Sequence, residues 1–156
     1  MHSAPDNGRE QRQRNSCPFR RVLVAWDGSL DSAMALRTAI AIVTSAQGHV
    51  VAFTVLPPPP PHEDREDDAS EAAGRARDAF EAVRDSFGPS PVPVRLETAE
   101  GRHVPKSLCE FAAEHAFDLL VLGRHGQGGI LHPKLGHIAR ETAQLARVPV
   151  LLVSAH

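Results

Sequence analysis

Short apolar runs and longer amphipathic stretches alternate along this chain. Four of the runs have the length and continuous apolar character of strands that are buried on both faces of a parallel sheet. A fifth run, Val92–Thr98, alternates in the way that a strand near a sheet edge does. We therefore predict strands at Val22–Trp26, His49–Leu56, Val92–Thr98, Asp118–Gly123 and Val148–Val153.

Apolar residues recur with helical spacing between these strands. The first helix follows Asp31 or Ser32, either of which can cap it, and it buries Leu36, Ile40 and Val43. The other helices are predicted at Ser70–Phe87, from Pro105 as a first helical residue, and at Ile138–Arg147.

This alternation of strands and helices predicts the fold class. Strands separated by helices or loops require a parallel sheet with right-handed crossovers and helices on both faces. We therefore expect a single α/β domain, doubly wound around a five-stranded parallel sheet, at residues 20–156. The order of the strands does not follow from periodicity.

Two polar segments are predicted to lie outside this packed unit. Residues 1–19 carry almost nothing apolar up to Ser16, so we predict a disordered tail. The prolines of Pro57–Pro61 end the second strand, and the charged segment His62–Asp68 that follows is predicted to be a mobile loop.

Composition narrows the classes of function. The 156 residues have a formal net charge of −2, which gives no field typical of a nucleic-acid binder. No apolar run approaches the roughly 20 residues of a membrane helix, and no secretory signal stands at the amino terminus. Cys17 and Cys109 indicate neither a disulfide framework nor a metal site. We expect a soluble cytoplasmic protein that binds neither nucleic acid nor membranes.

Three glycines follow the fourth strand with the spacing Gly-x2-Gly-x9-Gly, at Gly123, Gly126 and Gly136. Glycine permits backbone turns that bring successive N–H groups to one point, and Gly136 stands where the last helix begins. The amino-terminal end of a helix carries unpaired donors and partial positive charge, which favour a phosphate group. The pattern therefore predicts an anion site. Each glycine taken singly is equally compatible with an ordinary turn.

This spacing, followed by the strand Val148–Val153, resembles the nucleotide-binding signature of the universal stress protein family. At the other end of the chain, Val22–Ser29 is similar to the first strand of the family and the acidic turn after it. The resemblance covers Arg20 to Ser154 and implies the strand order 3-2-1-4-5. It also implies a homodimer joined through Val148–Val153, whose apolar edge is itself a template for pairing.

In that strand order the ends of the first and fourth strands are neighbours at the switch point, where doubly wound sheets bind ligands. The resemblance places Asp27 near the nucleoside and the backbone of Val55 against adenine. Asp27 is also compatible with an Asx turn, and Val55 with plain core packing. The predicted nucleotide-binding residues are Ala25, Trp26, Asp27, Val55, Leu122, Gly123, His125, Gly126, Gly136, His137 and Ile138.

His137 departs from the family pattern, because the ATP-binding members carry Ser or Thr directly after the third glycine. The imidazole either swings aside and donates a hydrogen bond, or occupies the space of a phosphate. The expected cofactor is ATP, with Mg²⁺ left open for this reason. No metal site is predicted from His125, His132 and His137, because no histidine pair shows the i, i+4 spacing of strong sites.

The sequence assembles no nucleophile, base and orienting group, so we predict a binding protein and not an enzyme. The first interpretation is a small nucleotide-binding stress-response protein with protein partners that the sequence does not identify. The alternative is a nucleotide-independent dimeric interaction module in which His137 blocks the phosphate site. A slow ATPase is the third.

Overall fold

The computed structural model of the protein describes residues 17–59, 61, 65–127 and 134–155. Within these residues, five strands and four helices alternate along the chain. The strands are β1 (Arg21–Ala25), β2 (His49–Leu56), β3 (Val94–Glu100), β4 (Leu119–Gly123) and β5 (Val150–Val153). The helices are α1 (Leu30–Thr44), α2 (Arg65–Ser86), α3 (Val104–Glu114) and α4 (His137–Leu145).

All five strands are parallel and form one sheet in the order β3-β2-β1-β4-β5. The predicted doubly wound fold and the strand order implied by the family resemblance are both confirmed. Val22 of β1 pairs with Val50 of β2 on one side and with Leu119 of β4 on the other. The carboxyl ends of β1 and β4 therefore lie side by side.

Helices cover both faces of the sheet and bury two apolar cores. On one face, Leu36 and Val43 of α1 and Phe80 of α2 pack against Val22 and Val24. On the other face, residues of α3, α4 and the sheet form a second cluster, which includes Leu108, Ala112, Ile138, Leu23, Val51 and Leu120. Because each central strand is covered twice, its residues are apolar in succession, as the sequence pattern indicated.

Most predicted boundaries lie within one or two residues of the observed ones, and the largest difference is at α2. This helix begins at Arg65, whereas the pattern predicted Ser70. The prediction of a loop was therefore wrong for residues 65–68. Three acidic residues, Glu66, Asp67 and Asp68, stand in the first turn, where negative charge favours a helix start. The run of charge that suggested a hydrated loop is compatible with a helix amino terminus.

The cap of α1 also differs from the prediction. Ser29 is the capping residue, and its Oγ accepts a hydrogen bond from the Ser32 N–H at 3.1 Å. Asp31 and Ser32 lie inside the first turn and are buried. In α3, Val104 precedes Pro105, which therefore occupies the second helical position and not the first.

Several predictions concern residues outside the described part of the chain. These are the tail up to Ser16, the segment 62–64 and His132. Among the helices of the described residues, none combines the length and the apolar character that a membrane crossing requires.

Candidate functional site

A cavity of about 680 Å³ opens at the carboxyl ends of β1 and β4. Small-molecule sites typically measure roughly 300–1,000 Å³, so this cavity has the size of a ligand site. All eleven residues predicted to bind nucleotide line it. The structure thus brings together residues that are more than 100 positions apart in the chain, at the switch point of the sheet.

The turns after β1 and β4 contact each other, and both contribute residues to the lining of the cavity. The side-chain amide of Gln127 donates a hydrogen bond to the backbone carbonyl of Asp27. A Cβ built on Gly126 would lie 3.0 Å from Oδ2 of Asp27. The two turns therefore meet at one place, as the nucleotide-binding hypothesis requires.

The three glycines of the Gly-x2-Gly-x9-Gly spacing allow segments to pack closely, and they do not adopt backbone angles that only glycine favours. None of Gly123, Gly126 and Gly136 has a φ in the left-handed region, so the conformational reason for expecting them was wrong. A Cβ on Gly123 would lie 2.5 Å from Cβ of Asp31, and one on Gly136 would lie 3.0 Å from the Arg124 carbonyl oxygen. Their role is to let α1 and the two ends of the loop after β4 approach closely.

Asp27 makes the Asx turn that was its structural interpretation. Its Oδ1 accepts a hydrogen bond from the Ser29 N–H at 2.9 Å, and the next residue, Gly28, has a φ of +79°. The side chain is nevertheless exposed and lines the cavity. The turn therefore holds a carboxylate at the cavity, so an Asx turn and a place beside a ligand are compatible for Asp27.

The inner end of the cavity is lined by apolar side chains and by the backbone of one residue, Val55. Phe53, Val55, Val104, Leu108 and Leu122 form its walls. These side chains can enclose a flat apolar group such as a purine ring.

The backbone N–H and C=O of Val55 contribute polar groups to this inner end. Along a parallel strand, successive residues direct their backbone groups to alternate neighbours. The Phe53 carbonyl accepts from the Trp26 N–H at 2.9 Å, and the Leu56 carbonyl accepts from the Gly101 N–H, also at 2.9 Å, on the β3 side. Val55 therefore faces the β1 side like Phe53. Since β1 ends opposite Phe53, the N–H and C=O of Val55 point past it into the cavity.

The mouth of the cavity carries basic side chains and the amino terminus of a helix. Arg124, Lys134 and His137 are exposed and line the mouth. Gly136 is the N-cap of α4 and makes no side-chain cap, so the first-turn N–H groups are left to an external acceptor. His137, the residue that departs from the family pattern, is exposed, and the cavity that it lines still measures about 680 Å³. This end of the cavity is suited to an anion.

The side chains of Asp31 and His125 contact each other between α1 and the turn after β4, and both are largely buried. The Nδ1 atom of His125 lies 3.2 Å from Oδ2 of Asp31, and the side chains are 13% and 8% exposed. Oδ2 also accepts from the His125 N–H at 3.1 Å, and Oδ1 accepts from the Ala155 N–H at 2.8 Å. Burial alone raises the pKa of Asp31, but these hydrogen bonds and the charge of His125 outweigh it and hold the pKa below its usual value.

The opposite ring nitrogen of His125 is also engaged. Its Nε2 lies 2.9 Å from the backbone carbonyl oxygen of Lys134. His125 was predicted as a residue that contacts the nucleotide. The structure places it in the cavity wall with both ring nitrogens facing protein oxygens.

Trp26 lies in the core and lines the cavity at the same time. Its side chain is only 4% exposed and meets Phe80 edge to face, with ring centroids 5.7 Å apart. The indole therefore belongs to the core cluster that joins the sheet to α1 and α2.

Sequence reasoning missed several lining residues. Phe53 stands two positions before Val55 on one face of a strand, so the strand period could have identified it. Val104 and Leu108 of α3 also line the cavity, and neither was predicted as a site residue. The partnership of Asp31 with His125 has no local signal, because 94 positions separate the two residues.

The geometry and the residues of the site agree with one known family. The model of the universal stress protein family matches residues 18–154. This chain belongs to the universal stress protein family. No curated protein matches it in sequence.

Several solved structures of universal stress proteins are similar in fold. UspA of Lactobacillus plantarum is 21% identical, with a TM-score of 0.68, and the match covers 86% of this chain and 97% of that one. A universal stress protein in complex with cAMP is 24% identical with a TM-score of 0.61, and the match covers 88% and 98% of the two chains. The universal stress protein of Archaeoglobus fulgidus in complex with dAMP is 19% identical with a TM-score of 0.60, with the same coverage. At these identities the likeness concerns the fold.

Proposed function

We propose that this universal stress protein binds an adenine nucleotide, ATP in the first instance, and acts as a regulatory binding protein in a stress response. The observation that carries the proposal is the division of one cavity into an apolar inner end and a cationic mouth. The inner end offers apolar walls and the backbone of Val55 to a base. The mouth offers Arg124, Lys134 and the amino terminus of α4 to phosphates.

Two structural neighbours support adenine nucleotides as the ligand class. They are universal stress proteins in complex with cAMP and with dAMP. The open cavity beside the exposed His137 supports binding over the alternative in which the imidazole blocks the phosphate site. In the proposed complex Asp27 lies next to the ligand, where its carboxylate can share a Mg²⁺ ion with phosphate oxygens.

The proposed role is binding and not catalysis. In it, the occupied and empty states present different loop surfaces to protein partners. A homodimer joined through β5 completes the proposal. Val150–Val153 forms the edge of the sheet and is only half-buried, which favours pairing with a second copy. A cytoplasmic location remains a prediction from the sequence.

The first test asks whether the protein carries and binds a nucleotide. Freshly purified protein is denatured, the released small molecules are identified, and the emptied protein is titrated by calorimetry with ATP, AMP and adenosine, each with and without Mg²⁺. We expect a bound adenine nucleotide or a measurable heat with ATP. Protein that is empty and gives no heat with any of the three would instead favour the nucleotide-independent dimeric module.

A charge-reversal series locates the phosphate end. Lys134→Glu and Arg124→Glu alter exposed side chains at the mouth, so the fold should persist. Each should weaken ATP more than AMP and leave adenosine nearly unchanged, because only the phosphates face the reversed charge. Lys106→Glu is the matched control, since Lys106 is exposed on α3 and pairs with Glu110 outside the cavity.

Release of ADP above the rate of a Gly126→Val variant would indicate an ATPase.

A further inference from the structure

We propose that His125 is a positioning residue that, as an imidazolium, ties the two ends of the loop after β4 together and so holds the phosphate end of the cavity in shape. The proposal rests on the proposed function for its ligand. Its evidence is the set of contacts around the ring, which is independent of any ligand.

The ring lies between two oxygen atoms that can only accept hydrogen bonds. One is Oδ2 of the Asp31 carboxylate at 3.2 Å, and the other is the carbonyl oxygen of Lys134 at 2.9 Å. A neutral imidazole carries one N–H and can satisfy one of them, whereas the imidazolium carries two and satisfies both. The arrangement therefore matches the doubly protonated ring.

A second hydrogen bond joins the same two chain segments. The Gly136 N–H donates to the Arg124 carbonyl at 2.9 Å. Residues 124 and 125, at the start of the loop, are thus bound to residues 134 and 136, just before α4. These contacts position Lys134, the N-cap Gly136 and His137, which line the mouth of the cavity.

Asp31 anchors this connection to the rest of the fold. Its carboxylate accepts from the His125 N–H, from the Ala155 N–H that follows β5, and from the ring. The carboxylate is itself buried on α1, so the ring is held against a fixed element. The loop, the first turn of α1 and the end of β5 are therefore joined through one carboxylate.

Loss of one ring proton changes this geometry in a defined way. Nδ1 keeps its proton because it faces a carboxylate, so Nε2 becomes an acceptor opposite the Lys134 carbonyl. Two acceptors 2.9 Å apart repel each other, so the contact with Lys134 is lost and the Gly136–Arg124 hydrogen bond alone joins the two segments. Other charged groups on the described walls of the cavity are Asp27 from the turn after β1, Arg124, Lys134 and His137. We expect phosphate affinity to be lower when the ring of His125 is neutral.

The first measurement needs no variant and no nucleotide. The ring nitrogens of His125 are observed by ¹H–¹⁵N NMR in the apo protein, together with hydrogen exchange of the Gly136 amide, across a pH series that starts at about pH 6, near the ordinary titration range of histidine. We expect two protonated ring nitrogens at the start. Deprotonation of Nε2 should coincide with faster exchange at Gly136 than the general pH effect on exchange produces. A ring that is neutral throughout, or a Gly136 amide indifferent to its titration, would overturn the proposal.

The second measurement uses variants and nucleotide. His125→Asn retains a donor but cannot bridge both oxygens, and we expect ATP affinity about tenfold lower, with a flattened pH profile and little change for adenosine. Asp31→Asn should have a similar effect on the pH profile. The matched control is His103→Asn, which removes the exposed pair of His103 with Glu141, 2.8 Å apart and outside the cavity. It should bind ATP as the wild type does.

The two proposals fail in different ways. If the wild type binds no nucleotide, the proposed function fails, and the ring signals and the Gly136 exchange alone decide the role of His125. If the wild type binds ATP but His125→Asn matches it in affinity and in pH profile, the positioning role is wrong and the proposed function stands.

Discussion

Gly123 provides the sharpest test of how the site is built, because a methyl group there meets the backbone of α1. Cβ of an alanine at this position would lie 2.5 Å from Cβ of Asp31, 2.9 Å from its carbonyl carbon and 3.1 Å from the Ser32 nitrogen. Ordinary contact begins at 3.4 Å, so the first of these atoms must move by about 0.9 Å. That atom carries the buried carboxylate that binds His125 and Ala155.

The expected cost of Gly123→Ala combines two opposing effects. Overpacking in a well-filled interior costs about 1–3 kcal/mol, whereas replacing glycine restricts the unfolded chain and returns about 0.4–1 kcal/mol. Weakened hydrogen bonds of Asp31 add to the loss, since each bond to a charged group contributes about 1.5–3 kcal/mol. We expect a net loss of about 2 kcal/mol in the free energy of unfolding. For a chain of this size that is a fall of roughly 4–8 °C in Tm.

Urea unfolding followed by circular dichroism, together with calorimetry, measures this loss. Gly74→Ala is the matched control, because Gly74 lies in α2 with nothing within 4 Å of its added Cβ. It should stabilise the protein by about 0.5–1 kcal/mol, as alanine does in place of an exposed helical glycine. Wild-type stability of Gly123→Ala would refute the argument that close packing against α1 requires this glycine.

Three further predictions concern stability and assembly. Burial, together with the charges of Arg21 and Arg95, lowers the pKa of His49. The contribution of the neutral imidazole to stability is therefore full above the ordinary histidine pKa of about 6.5 and is lost as the pH falls below that value. Chemical unfolding between pH 5 and pH 7 should show this loss of stability, and a His49→Gln variant should show less of it. Asp31→Ala leaves buried partners without their carboxylate and should cost about 3–5 kcal/mol in urea unfolding, whereas a loss below 1 kcal/mol would contradict the anchoring role of that carboxylate. Leu152→Lys should weaken the proposed dimer in light scattering, while Leu145→Lys, at an exposed leucine on α4, should not.

The fold was predictable because its signal is local. Strands buried on both faces leave continuous apolar runs, so the β2 prediction, His49–Leu56, matches the observed strand, and the other strands differ by one or two residues. The error at α2 has a physical cause. A charged run after prolines is typical of a loop, but acidic residues are equally compatible with the first turn of a helix, and α2 begins at Arg65.

The candidate site was predictable in position but not in construction. The strand order and the switch-point rule located the cavity, and the glycine spacing selected residues that line it. The sequence could not show that Gly123 admits α1, or that Asp31 binds His125, because both depend on contacts between distant segments. The same limit applies to Ser29, whose capping role depends on where the turn after β1 ends.

The position of Trp26 makes intrinsic tryptophan fluorescence a probe of the cavity. It is the single tryptophan of the chain, and it is a cavity-lining residue whose indole packs against Phe80. A guest molecule in the cavity lies next to this residue, so we expect emission wavelength and quenching to report occupancy with no dye attached. Screening of metabolites can therefore proceed by simple fluorimetry on the unlabelled wild-type chain.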